Sequence, residues 1–76
     1  MTNDTITIKA IAANLEALEQ LLYEANVRAS EAVATIQQGE RNGAIGAVLG
    51  LDQTLDAARA LYSAAIALHR TARGQP

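Results

Sequence analysis

The chain has 76 residues, a formal net charge of −2 and no cysteine. This bounds it at one domain, excludes disulfides and thiolate metal sites, and gives no bulk attraction to nucleic acid or to an anionic membrane. Half of the residues are apolar, alanine is the most frequent of them, and the aromatics are Tyr23 and Tyr62; such a composition makes thin, closely packed helices rather than a thick globular core.

A scaffold this small is marginal alone and needs a staple or a partner. A single histidine and no cysteine leave partnering as the route. Asp4 and Lys9 interrupt isolated isoleucines near the start, which is not a signal-peptide pattern. No run approaches the roughly 18 uncharged apolar residues of a spanning helix, so the expected location is cytoplasmic.

Residues 1–4 are polar and expected to fray. Thr5-Ile6-Thr7-Ile8 alternates as a strand would, but the run is short. A helical reading makes Thr7 the N-cap, with Ile6 and Ile11 as a hydrophobic staple. Asn3 and Asp4 are competing caps, and a short extended segment over residues 4–9, added to a partner, remains open.

From Ile8 onward the spacing is helical. Ile8, Ile11, Leu15, Leu18, Leu22, Ala25, Ala29, Ala32 and Ile36 follow alternating steps of three and four, a heptad seam over about residues 5–38. The seam is large near its start and small near its end. Leu21 and Val33 widen it on either side, and Val27 falls on the polar face. Glu24 and Arg28 stand four apart in the favourable order for a helix pair. Asn14 and Asn26 lie at the seam edges, as backbone-bonded boundary residues or as polar register markers.

Gln38-Gly39-Glu40-Arg41-Asn42-Gly43 breaks the pattern. Gly39 is a natural stop, Asn42 a natural N-cap, and residues 39–43 read as the turn of a helical hairpin. The second helix is expected to run unbroken over about residues 43–72, leaving a frayed tail at 73–76. Its seam is Ala44, Val48, Leu51, Leu55, Ala58, Tyr62, Ala65, His69 and Ala72. Folded back about the turn, Ile36 meets Ala44, Ala32 meets Val48, Ala29 meets Leu51 and Leu18 meets Tyr62. Large side chains mostly face small ones, as a close antiparallel pair requires.

The second helix has apolar surface left over. Gly43, Gly46, Gly50, Ala57 and Ala64 share one flank with Leu61 and Leu68, and Ile45, Leu49 and Ile66 lie on the other. Glycine inside a helix costs roughly 0.5–1 kcal/mol relative to alanine, so a close approach is the natural explanation. A helix apolar most of the way round is buried on more than one side. The expected fold is therefore all-α, an antiparallel hairpin dimerising into a four-helix bundle. Gly46, Gly50, Ala57, Leu61, Ala64 and Leu68 are the candidate oligomer interface.

Little in the chain points to chemistry. Glu16/Glu19 and Asp52/Asp56 pair carboxylates on outer faces, with no Glu-x-x-His companion. His69 is the obvious acid or base, but its place near a helix C-terminus has a structural explanation. No metal, cofactor or catalytic residue is assigned. The glycines match no phosphate-loop fingerprint, and the uncharged stretch 43–51 lacks the basic rim of a membrane-surface helix. Charge is asymmetric: residues 1–38 hold five acids and two bases, residues 39–76 three acids and four bases. Arg59, Arg70 and Arg73 are the candidate nucleic-acid contacts, although three arginines are few for phosphate binding.

In layout the expected dimer resembles the Rop-type helical hairpin. The resemblance is of architecture alone, without a Rop sequence motif, and carries no function with it. The expected function is that of a small non-enzymatic, homo-oligomeric interaction protein. A nucleic-acid-binding regulator using the three arginines is the alternative.

Overall fold

The computed structural model describes residues 2–74, and the side chains of residues 4–73. The described residues are helical throughout apart from two short breaks, and none is a strand. Helix α1 runs Thr2–Gln37, α2 Arg41–Val48 and α3 Leu51–Gly74. The second arm, α2 and α3 in succession, folds back along α1 and packs against it over both of its helices. The result is a flat two-helix rod, 57 × 17 × 13 Å.

The alternation at Thr5-Ile6-Thr7-Ile8 does not make a strand. These residues lie inside α1, so Thr7 is not an N-cap; residues 2–4 belong to the same helix, and Met1, the first of the residues expected to fray, lies outside the described residues. Ile6 stands 60% exposed, so no staple forms against Ile11. A 36-residue helix that extends far downstream of them overrides a four-residue strand preference that has no neighbouring strand to pair with.

The first helix stops where its sequence allows. Gly39 takes φ +83; its N–H donates to the Ile36 carbonyl at 2.9 Å and the Glu40 N–H to the Thr35 carbonyl at 3.2 Å. This is the paired bonding of a Schellman stop, which closes carbonyls that a helix end leaves open. α2 then begins two residues later, with Glu40 rather than Asn42 at its N-cap and no side-chain cap bond. The turn is thus shorter than residues 39–43, and Asn42 lies inside the helix. At Gly43 an added Cβ would come within 2.9 Å of Thr35 Cγ2, so the two arms are already in close contact one turn after the reversal.

The second arm is not one helix. α2 ends at Val48; Leu49 is extended at φ −63, ψ 134, and Gly50 has φ +85. α3 starts at Leu51, its first turn fastened by the Gln53 N–H donating to the Gly50 carbonyl at 3.1 Å. Eight residues that include Gly43 and Gly46 hold α2 together weakly. Gly50 adopts the left-handed conformation that other residues resist. α3 then continues to Gly74, past the expected end near residue 72. Of the expected tail, Gln75 and Pro76 lie outside the described residues.

Side-chain contacts at the break come from α1. Arg28 donates from Nη2 to the Leu49 carbonyl at 3.0 Å, an exposed hydrogen bond across the hairpin. It therefore caps the end of α2 from across the hairpin, where the sequence spacing suggested a partner on its own helix in Glu24. A cation against an open helix C-terminus is favoured by both hydrogen bonding and the helix dipole.

Candidate interaction surface

Helix geometry sorts the residues into rows seven apart. On α1, Ile11, Leu18, Ala25 and Ala32 are half-buried and face the second arm. The row beside them on one side is Thr7, Asn14, Leu21, Arg28 and Thr35, and it is half-buried as well. The row on the other side is Ile8, Leu15, Leu22, Ala29 and Ile36, and every member is exposed. The second arm repeats this. Ala44, Ala58 and Ala65 are buried, and Leu51 and Val48 are half-buried. On one side of them Thr54, Leu61 and Leu68 are half-buried, while on the other Leu55, Tyr62 and His69 are exposed.

The predicted seam is therefore divided. Half of it lies between the arms. The other half, Ile8, Leu15, Leu22, Ala29, Ile36, Leu55 and Tyr62, lies outside that contact. Both helices are rolled in the same sequence sense relative to the expectation. In an antiparallel pair this turns both exposed rows to the same side of the rod. They form one apolar face in which Ile8 is 58% exposed, Leu22 48% and Tyr62 56%.

Polar residues occupy the inner row without being left unpaired. The Asn14 Nδ2 donates to the Ala10 carbonyl at 2.9 Å and the Thr35 Oγ1 to the Glu31 carbonyl at 2.8 Å, each one turn back along its own helix. Among the described residues no buried side-chain polar atom lacks a partner. Asn14 is thus a boundary residue bonded to backbone, the plainer of its two sequence readings. Asn26 is exposed.

The glycine flank is mixed. Leu61, Ala64 and Leu68 are half-buried, and Gly46, Gly50 and Ala57 are exposed. Two of the three interior glycines have causes within the chain, Gly43 in the close approach to Thr35 and Gly50 in its backbone conformation. At Gly46 an added Cβ would meet nothing within 4 Å. Glu24 and Glu31 are exposed on α1 one row outside Arg28, and Glu19 is exposed in the matching row outside Leu22.

Concave features are shallow. The turn backbone over Gly39–Gly43 frames an open notch of about 630 Å³. Tyr23, Glu24, Val27 and Arg28 line an open depression of about 410 Å³ on α1. Neither brings acid, base and nucleophile together. His69 is exposed, as are Arg59, Arg70 and Arg73, which are spread along α3 on rows away from the inter-arm contact. Among the described residues no three His, Asp or Glu side chains gather as a metal cluster would require. No described helix is long and apolar enough to cross a membrane.

The fold and surface define a small all-helical, two-armed protein with an apolar face along one side and further exposed apolar side chains at Ile6, Tyr23, Val27, Val33, Ile45 and Leu49. Comparison with protein-family models, curated proteins and solved structures finds no match for the chain.

Proposed function

We propose that this chain is a small non-enzymatic interaction protein, acting in the cytoplasm through protein–protein contacts as a homodimer of helical hairpins, a four-helix bundle. The observation that carries the reading is the mismatch between surface and core. Only three residues among those described are buried apolar core, and all are alanines: Ala44, Ala58 and Ala65 at 4–5% exposure. The chain exposes 5798 Å², against about 4,450 Å² for a compact monomer of 8.0 kDa on the mass scaling of folded proteins. The surplus of about 1,300 Å² exceeds the roughly 800 Å² that each partner contributes to a standard interface. A second apolar layer supplies what a single pair of helices lacks.

Size-exclusion chromatography with light scattering, over a hundredfold range of concentration and with full ultraviolet spectra, tests this. A dimer mass with a bare tyrosine spectrum is expected. A monomer at every concentration overturns the dimer. A 260 nm excess that salt removes, and that Arg59→Gln, Arg70→Gln and Arg73→Gln abolish, replaces protein contacts with nucleic-acid binding.

A further inference from the structure

We infer that the face built from the Leu15/Leu22 row of α1 and the Leu55/Tyr62 row of α3 is the surface on which a second copy of this chain packs, leaving the glycine-bearing face free. The inference rests on the dimeric reading above and specifies which surface serves it.

The roll of the helices is the first argument. In an isolated pair each helix has one neighbour, and its apolar stripe gains most by pointing straight at it. In a four-helix bundle each helix has two neighbours at about right angles, and the stripe must straddle both. Here both stripes straddle. Ile11 and Leu18 turn towards the second arm while Leu15 and Leu22 turn outwards, and Ala58 and Ala65 turn inwards while Leu55 and Tyr62 turn outwards. Both outward halves emerge on one side, where a single second hairpin covers them together.

Polarity separates this face from its opposite. The rows beside the contact here are apolar apart from Tyr62 and, at the far end, His69. The corresponding row of α1 on the other face carries Thr7, Asn14, Arg28 and Thr35. Packing two copies through that face would desolvate the Arg28 guanidinium of each copy.

A second copy, rather than an unrelated chain, fits the row itself. A two-fold interface places the same patch on both partners. An axis through Leu22 sets Leu15 over Ala29 and Ile8 over Ile36, so that a large side chain meets a small one beside the centre and isoleucines close both ends. The chain's surplus of about 1,300 Å² over a compact monomer is enough for a self-association of standard size.

The absence of cysteine from the sequence permits a direct test. Leu22→Cys, Leu55→Cys and Ala57→Cys each place one thiol at a site exposed in the hairpin. Circular dichroism checks that each remains helical. Labelling with a maleimide dye is followed as concentration rises through the dimer transition. At a total chain concentration of ten times the dissociation constant, labelling of Leu22→Cys and Leu55→Cys falls about fivefold, because only free hairpin exposes the thiol; Ala57→Cys labels at an unchanged rate. A dimer in which Leu22→Cys stays reactive, or in which Ala57→Cys becomes protected, refutes the face while leaving dimerisation intact. Monomer mass throughout removes the dimer and the face assignment together, and assigns the apolar surface to a different protein.

Discussion

Arg28 offers the sharpest test of the broken second arm. Its guanidinium donates to the Leu49 carbonyl at 3.0 Å, and the residue as a whole is half-buried. A hydrogen bond to a charged group contributes about 1.5–3 kcal/mol when buried. Leu49 is 65% exposed, so water competes for the carbonyl and the bond is worth nearer ~1 kcal/mol. Loss of packing by the methylene stem adds up to about 1 kcal/mol. Arg28→Ala is therefore expected to destabilise by about 1–2 kcal/mol, lowering the thermal midpoint by about 4–16 °C for a domain of this size. Arg28→Met keeps much of the apolar stem and isolates the hydrogen bond, with an expected loss of ~1 kcal/mol. Glu24→Ala is the control. If Arg28 acted through its own helix, both members of the pair would cost the same small amount, about 0.3 kcal/mol. Thermal and urea denaturation followed by circular dichroism at fixed protein concentration reads the difference; concentration must be held because any dimer adds a mass-action term. Equal losses in Arg28→Ala and Glu24→Ala, or no loss in Arg28→Met, would refute the cross-hairpin cap.

Three further substitutions probe the same framework. Gly50→Ala forces a Cβ into a backbone at φ +85 and is expected to cost about 1–2 kcal/mol, seen as a lower urea midpoint. Gly46→Ala meets no atom within 4 Å and is expected to stabilise by about 0.5–1 kcal/mol; a loss instead would show that a partner presses on that glycine. Asn14→Leu replaces a half-buried side chain bonded to its own helix at Ala10 and is expected to add about 1 kcal/mol while keeping one oligomeric mass. A mixture of masses by light scattering would show that the asparagine sets register.

What could be read from the residues was what depends on local chemistry. The heptad spacing from Ile8 to Ile36 identified a long helix, and Gly39 supplied the residue type its stop requires. The break at Leu49 and Gly50 was less legible. Gly50 was visible, but a lone glycine in a helical pattern is ordinarily tolerated. What makes the break affordable is an acceptor–donor contact with Arg28, twenty-one residues away, and no periodicity encodes it. The start of α1 shows the reverse case: Thr7 has the chemistry of a cap and the pattern of a strand, yet a long helix runs through it because nothing nearby offers a strand partner.

The roll of the two helices follows from a different kind of missing information. Periodicity locates the centre of an apolar stripe, and that centre, near Ile11, Leu15, Leu18 and Leu22, is unchanged by the structure. It does not say how many neighbours share the stripe. Assigning all of it to the other arm was the one-neighbour answer. The observed roll moves Asn14, Arg28 and Thr35 into the flank of the inter-arm contact, and each finds a backbone carbonyl there. The polar row therefore costs little where it sits. The apolar row has no such remedy: Leu15, at 47% exposure, and Tyr62, at 56%, gain only by being covered. The hairpin thus keeps its self-satisfying residues inside and leaves an apolar row exposed, the arrangement on which the proposed second layer rests.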